Sequence, residues 1–240
     1  MRSLAVLLIA FGASLLASLS GGSSSMITTP AWVSLGVAFP VAVASDKIAG
    51  MFWTVSAART YLANIAVDRR VLMGMGIAGL VGAFAGAVIG TSVNEVLLRR
   101  GAGVLILIAI VASMRPARQP ASPSARHPSS LVGFPLGLYE GLLGSGNGIL
   151  TSAILMRTRG FDLPTALGHY YALAALWCAL AAGVYFARGA IDWQLALPAT
   201  IGALAGGTLG ARIGRKAGSK LIRPLFILAG LVLASRLIIA

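Results

Sequence analysis

An apolar run begins near Leu131, stops at Gly144-Ser145-Gly146-Asn147-Gly148 and resumes at Ile149. Both flanks are greasy, so the polar stretch belongs inside a membrane. There each backbone group left unpaired costs several kcal/mol, and a break survives only if it is buried in protein or lines a wet cavity. The residues that follow, Ile149-Leu150-Thr151-Ser152, read as the start of a half-helix. Its first amides lack carbonyl partners and carry positive partial charge, which suits an anion. Gly21-Gly22-Ser23-Ser24-Ser25 repeats the device before Met26-Ile27-Thr28-Thr29. Two such breaks in corresponding places point to the binding site of a transporter.

Composition agrees. Of 240 residues, 58% are hydrophobic and 10% charged, against about 25% charged in an ordinary soluble domain. Several runs approach the roughly 20 residues that cross a bilayer. The expected class is therefore an all-α integral membrane protein. A net charge of +13 would suggest nucleic acid in a soluble chain. Here Lys and Arg sit in short loops, where they set topology and meet anionic lipid. Cys178 stands alone, which excludes an internal disulfide or a thiolate cluster; it reads as a small packing residue. No H-E-x-x-H, P-loop or dinucleotide pattern occurs, so neither an enzyme, a metal nor a cofactor is expected.

The chain repeats itself. At a shift of 123, Phe11 meets Phe134, Gly21 meets Gly144 and Thr28 meets Thr151. From Gly36 onward the shift is 124: Pro40 meets Pro164, Trp53 meets Trp177, Tyr61 meets Tyr185 and Asp68 meets Asp192. The ladder Gly82, Gly86, Gly90 meets Gly206, Gly210, Gly214. This predicts two membrane repeats, 1–114 and 131–240, joined by a cytoplasmic Pro/Ser/Arg linker over 115–130. The first twenty residues resemble a secretory leader, but their counterpart in the second half argues against removal. Each repeat is expected to hold a broken hairpin and three longer segments. In the first these are 4–38, broken at 21–25, then 41–66, 71–93 and 97–114. In the second they are 131–157, broken at 144–148, then 163–187, 194–212 and 221–239. Pro40 and Pro164 suit helix starts, and the glycine ladders suit close helix packing.

If each broken segment enters and leaves on one side, twelve of the nineteen Lys and Arg fall on the inner face with the linker. Lys47 then falls on the outer face with Arg2, Arg99, Arg100, Arg188 and Arg236. Full crossings give a poorer inner count. The positive-inside rule thus favours inverted repeats, which place a site at their interface near the bilayer midplane.

Candidate ligands of a small anion follow. Gly22, Ser23, Ser24 and Ser25, with Gly144, Ser145, Gly146, Asn147 and Gly148, offer amides and short polar side chains; Thr28 and Thr151 extend that face by a turn. Ser45 and Asp46 align with His169 and Tyr170, each pair about one and a half turns into its helix. Ser45, His169 and Tyr170 are candidate donors, and Asp46 ranks below Ser45 because it repels an anion unless Lys47 neutralises it. Arg59 and Glu140 are ionisable groups in apolar runs, a functional signal by default. Arg59 is a candidate anion contact. Glu140 and His169 are candidate proton carriers; the alternative for Glu140 is a pair with a basic residue. Against each stands a bland alternative: glycines for helix crossing, hydroxyls bonded back to carbonyls, Tyr and Arg at the interface. Asp68 and Asp192 read as helix caps, and Trp53 and Trp177 as packing or interface anchors.

Gly144 to Gly148, then Gly160-Phe161-Asp162-Leu163-Pro164-Thr165-Ala166, Gly189-Ala190-Ile191-Asp192-Trp193 and Gly202 to Gly210 resemble the sulfite exporter TauE/SafE family of membrane permeases. The second half resembles it over its whole length, the first more loosely, as Gly21 to Ser25 and Gly36-Val37-Ala38-Phe39-Pro40. The serine-rich breaks, Ser45-Asp46 and His169-Tyr170 depart from the family's pattern. The resemblance implies a bacterial-type inner membrane and a cargo of small sulfur-containing anions such as sulfite, thiosulfate or organosulfonates. The expected function is secondary transport of such an anion by alternating access, coupled to a proton or sodium ion, in a monomer or an oligomer. An anion channel, or a membrane scaffold without cargo, are the competing readings.

Overall fold

The protein was analysed as a computed structural model, which describes residues 2–94 and 130–217 together with positions 96, 97, 100, 101, 104, 107, 231 and 235. Eight helices occupy the continuous stretches: α1 Arg2–Ser20, α2 Ser25–Ser34, α3 Phe39–Leu62, α4 Arg69–Ser92, α5 Ser130–Leu142, α6 Asn147–Arg159, α7 Leu163–Ala187 and α8 Trp193–Ala217. Both breaks interrupt helices where expected, between α1 and α2 and between α5 and α6. Pro40 and Pro164 stand in the first turns of α3 and α7, where a missing N–H costs nothing. The expected segments 97–114 and 221–239, and the linker, lie outside the described residues apart from those single positions.

The distribution of polarity is inverted relative to a soluble protein. Met73, Ile77, Val81 and Phe84 line the outer face of α4, and Leu197, Ile201 and Leu204 that of α8, all exposed. Serines, threonines, Asp46, Lys47 and Glu140 are buried instead. Three described helices are long and apolar enough to cross a membrane: Ser3–Ser20, Arg69–Ser92 and Leu163–Ala187. An apolar exterior around a polar interior is the arrangement that lipid permits.

Helices from the first half pack chiefly on helices from the second: α1 on α8, α4 on α5, and α3 on α7 and α8. Glycine makes two of these contacts. On α4, a Cβ at Gly82 or Gly86 would strike the backbone carbonyls of Phe134 and Leu138. Facing them, Gly137 abuts the Gly79 carbonyl and Gly141 that of Ala83. On α8, Gly202, Gly206 and Gly210 lie against the carbonyls of Leu7, Phe11 and Leu15. Small residues let helix axes approach closely, and in lipid such van der Waals contact replaces the absent hydrophobic drive. The buried aromatics complete the packing. Trp177 donates to the Gly76 carbonyl at 3.2 Å, and Trp53 and Tyr171 meet edge to face at 5.2 Å; Trp53 and Trp177 are packing residues.

Aspartates tie the helix ends. Asp68 Oδ1 accepts from the Arg70 and Val71 amides at 3.0 and 3.2 Å, and Asp192 Oδ1 from those of Gln194 and Leu195 at 2.9 and 3.3 Å. Asp162 caps α7 through the Thr165 amide. Asp68 also pairs with Arg159 at the end of α6. Partial burial pushes the Asp68 carboxyl upward, but the Arg159 bond and the two amides outweigh it and hold it below the usual range.

Two outcomes follow. Gly86→Ala should destabilise the protein by about 1–3 kcal/mol through overpacking. Gly74→Ala, with nothing within 4 Å of a built Cβ, should be neutral or stabilising by up to about 1 kcal/mol; melting in detergent compares them. Because Asp68 is depressed when folded, its stabilisation is complete above the unfolded value of about 3.9 and fades as pH falls below it. Asp68→Asn keeps a capping side chain but loses the charge facing Arg159, so it should cost up to about 1 kcal/mol at neutral pH and remove that acid-dependent loss, as melting from pH 7 down to pH 3 would record.

Candidate functional site

The two breaks touch. Gly21, Gly144 and Gly146 adopt φ of +75°, +72° and +80°, a region that favours glycine, and the chain turns there before α2 and α6 begin. At Gly148 a Cβ would lie 2.6 Å from Tyr170 Cε1, 2.9 Å from the Gly21 carbonyl and 3.0 Å from that of Gly22. Only glycine admits this approach, so the second break rests directly on the first with Tyr170 beside both. The first turns are partly closed upon themselves: Ile27 and Thr28 donate to the Ser24 carbonyl, and Ile149 to that of Gly146. Among the described residues the amides of Ser23–Ser25 and of Ser145, Gly146 and Gly148 find no protein acceptor.

Beside this junction lies a buried ionic cluster. Lys47 Nζ stands 3.3 Å from Glu140 Oε1, both side chains almost wholly excluded from solvent. Asn147 Nδ2 donates to Glu140 Oε2 at 2.7 Å and to the Leu136 carbonyl at 3.1 Å. Cys178 Sγ approaches Glu140 Oε1 at 3.4 Å. Thr28 Oγ1 donates to Asp46 Oδ1 at 2.7 Å. Asp46, Lys47 and Glu140 share a cavity with Ser23, Ser24, Ser25, Gly50, Trp53, Thr54, Tyr170 and Cys178. The cavity volume is about 10 Å³, roughly what one ordered water requires. A larger guest needs the walls to move.

The residues expected from sequence divide into two groups. Ser23, Ser24, Ser25, Tyr170 and Glu140 line the cavity. Gly144 abuts Glu140 and Lys47, and Gly148 abuts Tyr170. Gly22, Ser145, Gly146 and Thr151 are buried around the junction. Asn147 spends its amide on Glu140, and Thr151 Oγ1 reaches Asn147 Oδ1 at 3.4 Å; both support the carboxylate. Ser45, Arg59 and His169 are not brought to the cavity. Ser45 Oγ accepts from the Asp192 amide at 3.1 Å. His169 Nε2 accepts from the Asp68 amide at 2.9 Å, and its Nδ1 faces the Thr165 carbonyl at 2.8 Å. Arg59 is exposed on α3.

Lys47, assigned by charge counting to the outer face, is instead 2% exposed in the interior. Its counter-ion is 93 residues away in the chain, which a local reading does not see. The available signal was Asp46-Lys47 inside an apolar run, which marks function as Glu140 does. Of the neighbours Ser45 and Asp46, Asp46 faces the cavity and Ser45 does not.

Removing one member of a buried ion pair leaves the other uncompensated, at about 3–5 kcal/mol. Lys47→Met should therefore lower thermal stability by that order. Lys47→Met with Glu140→Met should recover part of the loss, short of full recovery because Asn147 then keeps only the Leu136 carbonyl as acceptor. Melting of the three variants in detergent checks this.

A family model described as sulfite exporter TauE/SafE matches residues 6–237. A probable membrane transporter protein, ORF9 of Sinorhizobium, is 30% identical over 234 residues, covering 95% of this chain and 89% of that protein. A probable membrane transporter protein of Haemophilus influenzae is 25% identical, covering 96% and 92%. The probable membrane transporter protein YfcA of Escherichia coli is 24% identical, covering 90% and 82%. No solved structure matches the chain. With an apolar exterior, a buried polar junction and a family match along nearly its whole length, this chain belongs to the sulfite exporter TauE/SafE family of multi-pass membrane transporters and is not an enzyme.

Proposed function

We propose that this protein is a secondary transporter of a small sulfur-containing oxyanion, of the sulfite, thiosulfate or organosulfonate type, working by alternating access in a bacterial inner membrane. The observation that carries the reading is the direct contact of the two glycine-rich breaks beside a buried polar cavity. Two helix starts converge there, and a helix start stabilises negative charge through its free amides and dipole. Ser23, Ser24 and Ser25 add hydroxyls on the same wall, and Lys47 adds a cation. The sulfur-containing cargo comes from the family description.

The repeat organisation is part of the same reading, with the two units inverted. Matched positions make matched contacts. Tyr61 donates to the Ser18 carbonyl and Tyr185 to that of Gly141. Gly82 meets the Phe134 carbonyl, and Gly206 that of Phe11. Asp192 donates to Ser45 as Asp68 donates to His169. Each relation keeps the shift of 123 or 124 that the sequence carries, and inverted repeats supply inward-open and outward-open states of one site.

Binding to the native state raises its stability, by about 2.7 kcal/mol at a hundredfold excess over Kd. Sulfite, thiosulfate and ethanesulfonate should be screened by thermal shift on the purified protein, with flux measured in proteoliposomes. At least one should stabilise the protein and show saturable exchange. Ser24→Ala should weaken that anion roughly tenfold, the worth of one hydrogen bond to a charged group. Folded protein with neither shift nor flux for any of the three would support the scaffold reading, and unsaturated current would support the channel.

A further inference from the structure

Asp46, Lys47 and Glu140 line one cavity. With all three ionised the cluster carries one net negative charge, beside the helix starts where the anion is to sit. Like charge in a buried site repels, so this state and a bound anion oppose each other.

The two carboxylates are unequally supported. Glu140 accepts from Lys47, Asn147 and Cys178. Asp46 accepts from Thr28 alone among the described side chains, at Oδ1. The other ionisable groups around them are Tyr170, Cys178 and Tyr185 on α7 and Tyr139 on α5; α2 and the first break present hydroxyls, and the second break the Asn147 amide. His169 is no alternative: both ring nitrogens are held at the Asp68 turn and the Thr165 carbonyl.

We propose that Asp46 is the coupling-ion site. Resting on the anion-transport reading above, it takes one proton on Oδ2 when the anion enters and releases it when the anion leaves, so both cross together. Glu140 keeps its contact with Lys47. Protonation makes the cluster neutral, and a monoanion restores one negative charge. The cavity therefore carries the same net charge empty as loaded, and no extra charge is left buried at either stage, where it would cost several kcal/mol.

The full chain in liposomes tests this with three monoanions as probes: methanesulfonate, ethanesulfonate, and sulfite in its hydrogen sulfite form at mildly acidic pH. Two quantities are read: exchange of labelled for unlabelled anion, and accumulation driven by a pH gradient, with proton movement followed by a trapped pH-sensitive dye. The wild-type protein should show both, with protons moving alongside the anion. Asp46→Asn should lose at least tenfold of the driven accumulation and its proton signal, while exchange persists at a reduced rate. Thr28→Val should move the midpoint of the pH profile of driven uptake. Driven accumulation that survives Asp46→Asn, or wild-type exchange without proton movement under a gradient, would overturn the proposal. Wild-type protein that exchanges none of the three probes would overturn the transport reading instead.

Discussion

An ammonium and a carboxylate 3.3 Å apart, both almost wholly out of water, join the two halves of this chain where its helices break. Moving either charge out of water costs several kcal/mol, so the pair requires a surrounding that supplies donors and keeps its geometry. Asn147 and Cys178 complete the Glu140 shell. Gly144 leaves room for both charges, since a Cβ there would lie 2.5 Å from Lys47 Nζ and from Glu140 Oε1. The broken backbone and the buried charge are thus one construction: the break admits the ion pair, and the ion pair gives the break a polar neighbour.

Glycine holds the rest at the necessary spacing. The α4–α5 and α1–α8 contacts bring backbone against backbone, and each joins one half of the chain to the other. Among the described residues, each buried cluster draws on both halves. The inner ends of α1 and α5 are thereby carried to the centre, where Gly148 lies on the Gly21 and Gly22 carbonyls. Caps at Asp68, Asp162 and Asp192 fix the turns between helices, and the Asp68–Arg159 pair fastens the end of α6 to the start of α4.

Much of this could be read from residue order alone, because the signals are local. Pro40 and Pro164 mark helix starts, glycines four apart mark contact faces, and Gly21–Ser25 and Gly144–Gly148 mark interruptions. Long-range pairing could not be read so directly. Lys47 counted as a surface cation because its partner lies on another helix, and His169 stood out as a proton carrier although the Asp68 turn engages it. Arg59 drew notice as a charge in an apolar run, yet its face of α3 points outward. Periodicity says which residues share a face; it does not say what that face meets.

The distance in sequence between Lys47 and Glu140 bears on how the protein is made. At about 5–20 residues per second, the 93 residues between them take roughly 5–20 s to emerge from the ribosome. Throughout that interval α3 must enter the bilayer, or wait at the insertion machinery, with an ammonium whose counter-ion is not yet synthesised. The helix at the heart of the finished transporter is therefore the one least able to settle alone, and its final seat is decided only when the second half arrives.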